Sequence, residues 1–476
     1  MGKQTGYVSE YIKINGIEQY LLHYRTDPVL PVLLFLHGGP GMAESIFAYT
    51  FQEGLSPLFT VVHWDQRGAG KTLTKNKKNI SYPTVEELLE DLLEIVRHLK
   101  KKYGKEKLVI LGHSWGSMLG TLFVQRHPQE VLYYIGAGQF IDVVENEKAG
   151  YDKLRELITA AGNQKDLAQL EKIGAYPECN YEKPMIKKIQ AIRILQGKYK
   201  VGMNFGPILK AIFKSPIFQL SDLSSLFKGM SNNKELWNFM FSSSLYSQSH
   251  TYQVPVFYVL GADDFQAPHT IAQRYFETIE APFKKLLTMK NAAHFMMLDQ
   301  PQEFANVLSE ISRLAHTSNH AGGLKMSTLK IVSAEQVDLP KILDLQYLAY
   351  QSEAVLLGNF NIPPLGQTLQ ELEEEYENGV ILKAVYEGGA IVGSVRGYAQ
   401  SGTLYIGKLI VHPAFQGQGI GTQLLNEIEQ LFPQLRYELF TSSRSSKNMR
   451  LYERLGFSRF KESRISKDLT FIYLEK

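Results

Sequence analysis

Apolar residues fall in short runs and in regular stripes along the chain, and the two rhythms alternate. From Tyr11 to Tyr24, polar and apolar positions alternate on either side of Asn15-Gly16, the signature of a hairpin closed by a tight turn. Continuous apolar runs follow at Val32–Leu36, Leu58–His63, Leu108–Leu111, Tyr133–Ile135 and Val254–Leu260. Runs this short predict strands buried on both faces, as in a parallel sheet. Between the second and third runs the period changes. Leu88, Leu92, Val96 and Leu99 form one stripe at helical spacing, and Thr84 with Glu87 makes a capping box at its start. Strands alternating with helices predict an α/β layered sheet. Residues from about 140 to 250 break the alternation with helical stretches such as Lys153–Leu157 and Asp166–Ile173. An insertion there, between two core strands, is expected to form a helical cap over the carboxyl edge of the sheet. A last strand and helix are expected at Lys285–Met289 and Pro301–Leu314.

The pattern then lapses. Residues 315–326 are small, polar and glycine-containing, a linker composition. Met326-Ser-Thr-Leu-Lys-Ile reads like a second protein start, as in a gene fusion. The predicted division is a first domain over 1–314, a linker over 315–326 and a second domain over 327–476. Length agrees, because 476 residues exceed the roughly 250–300 at which single cores stop growing. The halves differ in charge. Residues 326–476 hold 15 basic and 17 acidic residues, and the totals of 51 and 48 leave 36 and 31 for the remainder. A net charge of +3 gives no ground for a nucleic-acid partner. Hydrophobic residues at 44% and charged residues at 21% exclude a chain disordered throughout. The single cysteine, Cys179, excludes a disulfide framework and a Cys-based zinc site, and inert packing is its expected role. No apolar run approaches the ~18–20 residues of a membrane span, no secretory h-region is visible, and Gly6 stands where a myristoylation signal wants Ser or Thr. A cytoplasmic protein without a metal or a membrane partner is expected.

Gly112-His-Ser-Trp-Gly116 follows one predicted strand and precedes a helical pattern, so Ser114 sits at a sharp strand–turn–helix junction with its hydroxyl exposed. A serine hydroxyl needs a base to become a nucleophile. In this context the chain order is Ser, acid, His. His294 lies between the last strand and the last helix, and two aspartates, Asp263 and Asp264, follow the strand that ends at Leu260. Two backbone N–H groups should stabilise the oxyanion. Trp115 supplies one, and the loop His37-Gly-Gly-Pro-Gly41 supplies the other from Gly39, with Gly38 as alternative.

Taken with Asp65-Gln-Arg-Gly-Ala-Gly70, the His37-Gly-Gly-Pro-Gly41 and Gly112-His-Ser-Trp-Gly-Ser117 motifs resemble the proline iminopeptidase-like branch of the α/β-hydrolases, over about residues 5–315. The resemblance implies an α/β-hydrolase fold with a helical cap and hydrolysis of short peptides or of other small amides and esters. Its Gly-x-x-Asp pattern selects Asp264. Aminopeptidase members hold the substrate amine with cap glutamates, but the corresponding segment Trp237–Tyr246 has no carboxylate. Asp65 and Arg67 are expected to brace their loop as a salt-bridged pair, with substrate binding as the alternative.

In the second half, the predicted strand Tyr405–Val411 leads through His412-Pro413 into Gln416-Gly-Gln-Gly-Ile-Gly421 and a helix bearing Leu424, Leu425, Ile428 and Leu431. A glycine-rich turn before a helix cradles a pyrophosphate on backbone N–H groups. The spacing fits neither a Walker A loop nor a dinucleotide fingerprint. It resembles motif A of the GNAT acetyltransferases, and Asn448 to Phe457 resembles the family's late helix. The resemblance covers about residues 327–476 and implies a GNAT-type α+β acyl-CoA N-acyltransferase domain using acetyl-CoA as acyl donor. By that resemblance Leu409, Ile410 and Val411 pair with the pantetheine arm, Gln416, Gly417, Gln418, Gly419, Ile420, Gly421 and Thr422 hold the pyrophosphate, Asn448 orients the arm, and Tyr452 protonates the departing thiolate. Glu438 is a candidate base, equal in weight to a water chain. Asn361–Thr368 reads as a surface connection or part of an acceptor loop, and the acidic run Glu371–Glu377 as a solvated helix face. Arg444 and Lys447 are within sequence reach of a CoA phosphate or lie in a solvated loop.

A bifunctional fusion is therefore expected, a serine hydrolase joined to an N-acetyltransferase acting on an unidentified amine. The alternatives are a hydrolase regulated by a non-catalytic acetyl-CoA sensor and a non-enzymatic ligand-binding receptor.

Overall fold

The computed structural model describes residues 6–24, 27, 29–77, 83–177, 183–199, 205–321, 329–385, 391–417, 419–466 and 469–476. The chain divides into two compact units, Met1–Ser318 and Asn319–Lys476.

The first unit is an eight-stranded sheet of β1 (Tyr7–Ile14), β2 (Ile17–Tyr24), β3 (Val32–Leu36), β4 (Thr60–Asp65), β5 (Leu108–His113), β6 (Val131–Ala137), β7 (Val256–Gly261) and β8 (Lys284–Met289). Their order is β1-β2-β4-β3-β5-β6-β7-β8. The β1–β2 and β2–β4 pairs are antiparallel and the rest parallel. Asn15 and Gly16 close the first hairpin at φ 45° and 86°, the two left-handed positions of a tight hairpin turn. β3, β5 and β7 are buried along their whole length, as continuous apolar runs require. The helix Val85–Tyr103 buries Leu88, Leu92, Val96 and Leu99, starts at the Thr84/Glu87 capping box and stops at left-handed Gly104.

Between β6 and β7 the chain leaves the sheet for helices Val143–Ala160, Gln164–Glu171, Lys183–Lys198, Phe205–Lys214, Asp222–Asn232 and Lys234–Ser242. Leu154, Ile158, Leu170, Ile192 and Leu195 give this insertion a small core of its own. The helix Pro301–Ala321 runs past its expected end at Leu314, so residues 315–321 are helical and not linker. Nothing between Ala315 and Ala321 breaks a helix, and the first breakers are Gly322-Gly323. The remainder of the expected linker and Cys179 lie outside the described residues.

The second unit is a seven-stranded sheet of β9 (Lys330–Ser333), β10 (Val380–Val385), β11 (Ile391–Gln400), β12 (Thr403–Val411), β13 (Arg436–Ser442), β14 (Ser458–Arg464) and β15 (Thr470–Glu475), ordered β14-β15-β13-β12-β11-β10-β9. β12 and β13 run parallel and pair only from Thr403–Tyr405 to Arg436–Glu438. Beyond that the strands part. β11 pairs Ser394 with Ile410 and Arg396 with Gly407, so β12 bulges at Lys408 and Leu409, with Lys408 at φ 48°. The helix Ile420–Leu431 packs on Gly393 and Gly397, where a Cβ would lie 3.0 Å from Leu424 and Ile428 respectively.

The expected Asp65–Arg67 pair does not form. Arg67 instead makes a two-pronged bond to Asp91, 2.8 Å from Nε and 2.9 Å from Nη2. Asp65 turns the other way and accepts the Lys71 amide at 2.7 Å. Asp91 is fully buried on the helix Val85–Tyr103 and also takes Asn15 Nδ2 at 2.8 Å, so the pair ties the first hairpin to that helix. Asp91→Ala leaves the Arg67 guanidinium buried without its counter-charge and is expected to cost roughly 3–5 kcal/mol in urea unfolding, with Ser114 and its partners untouched; a loss below about 1 kcal/mol would count against a structural role.

Candidate active sites

Ser114 occupies the turn between β5 and the helix Trp115–Arg126 at φ 56°, ψ −122°, a conformation strained for a residue with a Cβ. The Ser114 amide is anchored to Ala137 O at 3.1 Å. His294 Nε2 lies 2.9 Å from Ser114 Oγ, and His294 Nδ1 lies 2.8 Å from Asp264 Oδ2. The other Asp264 oxygen accepts the amides of Gln266 and Ala267, both at 2.9 Å. Ser114, His294 and Asp264 are 6%, 4% and 2% exposed, so the chain of bonds is almost closed to solvent. Asp263 has no place in it.

The loop after β3 lies against the nucleophile. A Cβ on Gly38 would sit 3.1 Å from Ser114 Cβ. The Gly38 amide is spent on Glu44 Oε1 at 3.1 Å. The amides of Gly39 and Trp115 have no hydrogen-bond partner among the described residues. Gly39 holds φ 118°, in the region that favours glycine.

Two further side chains hold these pieces together: Gln66, inside the Asp65–Gly70 motif, and Glu44. Gln66 donates its amide to His37 Nε2 and its side-chain Nε2 to His37 O, both at 3.1 Å, and accepts Trp115 Nε1 at 3.0 Å. Burial holds the His37 pKa down at about 4, so the ring stays neutral. Glu44 Oε1 accepts His113 Nδ1 at 2.6 Å, and His113 Nε2 reaches His294 O at 2.8 Å. Both ring nitrogens of His113 therefore face acceptors. Burial alone would lower its pKa, but the Glu44 charge and these hydrogen bonds outweigh it and raise it. Glu44 stands seven residues after His37 with no local pattern to mark it. In the cap, Glu147 is buried and bonded to Arg193 and Tyr176.

In the second unit Gly419 caps the helix Ile420–Leu431 at φ 80° with no side chain closing the first turn, and Gly417 also sits at φ 80°. A Cβ on Gly419 would meet nothing within 4 Å. The first-turn amides are therefore open, as an anion cradle requires. Gln418 lies outside the described residues. Gln416 turns back on β12, donating to Val411 O at 3.1 Å and accepting Lys447 Nζ at 2.6 Å, so Lys447 stands at the turn. Arg444 is exposed. Asn448 and Tyr452 share one face of the helix Ser446–Arg454. Burial pushes the Tyr452 phenol upward, so it keeps its proton through the neutral range.

Where β12 and β13 part, a cavity of about 1070 Å³ opens, with Ile406, Gly407 and Lys408 in its wall. Glu371, Glu374 and Glu375 also line it and are exposed, in keeping with a solvated helix face that borders the cavity. So do Pro363, Gly366 and Gln367 from the segment with two readings, and Glu438. Glu438 accepts Arg436 Nη1 at 2.9 Å. Among the described residues no helix is long and apolar enough to cross a membrane, and no group of three or more His, Cys, Asp and Glu is placed to hold a metal ion.

Residues 31–301 match the alpha/beta hydrolase fold family, and residues 342–457 the GNAT acetyltransferase family. A probable aminopeptidase of Bacillus subtilis (strain 168) is 28% identical over 314 residues, covering 65% of this chain and 98% of that protein. A proline iminopeptidase of Neisseria meningitidis serogroup A / serotype 4A (strain DSM 15465 / Z2491) is 30% identical over 135 residues, 28% of this chain and 40% of the relative. The crystal structure of a proline iminopeptidase-related protein from Thermus thermophilus covers 66% of this chain and 99% of its own at 19% identity, with a TM-score of 0.44.

The buried ionisable groups set an acid sensitivity. Burial, opposed by Glu10, holds His23 at about 4, and burial holds His37 at about 4 and His63 at about 3. An unfolded chain protonates these three below about pH 6.5 while the folded one does not, so stability falls as pH drops from 6.5 toward 4. Asp65, pushed up to about 6 by burial, and His113, Asp299 and Glu353, each raised, act in the opposite direction, against the large depressions at the three histidines and a further one at His127. The urea midpoint is expected to be lower at pH 5 than at pH 6.5, and a higher midpoint at pH 5 would refute this balance.

Proposed function

Because residues 31–301 make this chain a member of the alpha/beta hydrolase fold family, we propose that its first unit is a serine hydrolase of small amides or esters working through an acyl-enzyme. The observation that carries this reading is the Ser114–His294–Asp264 chain of bonds at 2.9 and 2.8 Å. Ser114 Oγ attacks the carbonyl carbon while His294 Nε2 takes its proton, and Asp264 holds the imidazole in the required orientation. His294 then returns the proton to the leaving group and activates water for deacylation. The amides of Gly39 and Trp115 stabilise the oxyanion, and the Glu44 bond to Gly38 supports Gly39 over Gly38 in that role.

Aminopeptidase action is the finer reading, supported by the probable aminopeptidase of Bacillus subtilis. Against a simple carry-over stands the cap, where Glu147 is already engaged by Arg193. Short peptides and small esters therefore both belong in the substrate screen. The second unit transfers acetyl from acetyl-CoA to an amine. The first-turn amides of residues 420–422 take the pyrophosphate, and the edge of β12 beyond Tyr405, free of β13, takes the pantetheine arm. Asn448 orients that arm, and Tyr452 gives its proton to the departing thiolate.

Wild-type protein is expected to react with a fluorophosphonate probe and Ser114→Ala is not, with hydrolysis falling at least ~10³-fold. No labelling of the folded wild type would remove the hydrolase reading. Calorimetry is expected to show acetyl-CoA binding, and Tyr452→Phe should lower kcat about 10–100-fold with little change in acetyl-CoA affinity. Unchanged kcat would take Tyr452 out of the proton transfer.

A further inference from the structure

We infer that the cavity of the second unit is built for a small amine carrying a second positive charge, with its two ends held in opposite electrostatic surroundings. The inference rests on the transferase reading of that unit.

The inner end is cationic. Arg396 Nη1 and Lys408 Nζ both donate to Gln367 Oε1, at 3.0 and 2.9 Å. One carboxylate serves both: Glu375 lies 2.6 Å from Arg396 Nη1 and 3.9 Å from Lys408 Nζ. Arg396 is buried and Lys408 partly so, and their two positive charges meet Glu375 directly, with Glu371 reaching Lys408 only through longer-range attraction. Burial lowers the Lys408 pKa, as Arg396 does more weakly, while Glu375 and, least of all, Glu371 raise it. The bulge at Lys408 places this group beside Leu409–Val411, the stretch that takes the acyl donor's arm.

A primary amine attacks a thioester only when neutral. An ammonium brought beside Arg396 and Lys408 is disfavoured by like charge, so the reacting nitrogen sheds a proton to water there. No dedicated base is then required. That suits Glu438, whose carboxylate is turned to Arg436, the guanidinium that also holds Glu475. Attack forms the C–N bond and breaks the C–S bond, and the second proton lost by the nitrogen replaces the one that the thiolate receives from Tyr452.

The outer end is anionic. Glu371 and Glu374 stand three apart on one helix face at the cavity wall, both exposed. Glu371 is bonded to Thr368, and among the described residues the Glu374 carboxylate meets only Gln370, at 3.4 Å. Neither forms an ion pair among the described residues. The wall beside them is aromatic. Tyr398 and Tyr405 stack at 5.0 Å and 19°, and Tyr398 and Phe440 are 50% and 51% exposed. Lys461 already lies 5.0 Å from the Tyr473 centroid, so this wall accepts a cation over a ring. A diamine satisfies both ends: its neutral nitrogen reacts beside Lys408, and its distal ammonium rests between the rings and the two carboxylates.

The test compares linear diamines, from butane-1,4-diamine to octane-1,8-diamine, with the monoamines of equal length, following thiol release from acetyl-CoA. The best diamine is expected to exceed its monoamine about tenfold in kcat/KM. Glu371→Gln with Glu374→Gln should bring that ratio toward one. The ratio is taken within one preparation, so partial unfolding cancels. Lys408→Met should move the acid limb of the pH–rate profile to higher pH. A ratio near one in the wild type, or one unchanged in the double variant, overturns the inference. So does failure to acetylate any of these amines while acetyl-CoA binds in calorimetry, which leaves the transferase reading standing. If acetyl-CoA does not bind, that reading falls. Titration of the diamine alone then decides: binding lost in the double variant supports the charge arrangement, and no binding overturns it.

Discussion

The first unit depends on how closely the backbone packs around Ser114. A Cβ on Gly112 would lie 2.2 Å from Gly116 O, and one on Gly116 would lie 2.1 Å from Leu36 O. Only two glycines let β5 turn into its helix with the first turn pressed against the end of β3. That approach holds Ser114 at positive φ, lifts its hydroxyl to His294 and leaves the Trp115 amide without a hydrogen-bond partner among the described residues. Such strain persists only when the surroundings over-determine it.

The surroundings that do so are buried polar bonds. Three sequence-distant loops meet there, and each is tied to the others through a side chain that touches no reacting atom. Gln66 joins the loop after β3 to the Trp115 indole. Glu44 and His113 join that same loop to the backbone of His294. A charged pair with fully buried side chains is costly unless its hydrogen bonds are made. Here both His113 nitrogens and Glu44 Oε1 are bonded, while Glu44 Oε2 meets no partner among the described residues, and the pair spaces the loop after β3 from His294. The Arg67–Asp91 pair does the equivalent for the first hairpin, at the edge of the sheet away from the chemistry.

The second unit solves a different problem, opening a sheet without losing it. β12 keeps β11 on one side but releases β13 after Tyr405, and the bulge at Lys408 redirects its side chain into the gap. The glycine-rich turn and the charged cavity at the split thus both adjoin one strand. Gln367 links the cavity's parts, accepting from Arg396 and Lys408 and donating to Glu375 at 2.8 Å.

Local pattern was enough for the strand runs, the capping box at Thr84, the Asn15-Gly16 turn and the residues of each motif, because these depend on periodicity and on backbone geometry that few residue types allow. It was not enough wherever the partner lies far along the chain. Arg67 sits two residues from Asp65 but bonds to Asp91, since the β4 turn points the two side chains apart. The acidic run is solvated, as its polarity suggests, but only the folded sheet brings Arg396 and Lys408 to Glu375. Residue order alone was sufficient for an alpha/beta hydrolase fold followed by a GNAT acetyltransferase domain. Which charges compensate one another, and which are left to meet a ligand, emerged only on folding, because electrostatic pairing follows distance through space and burial, neither of which is written in local order.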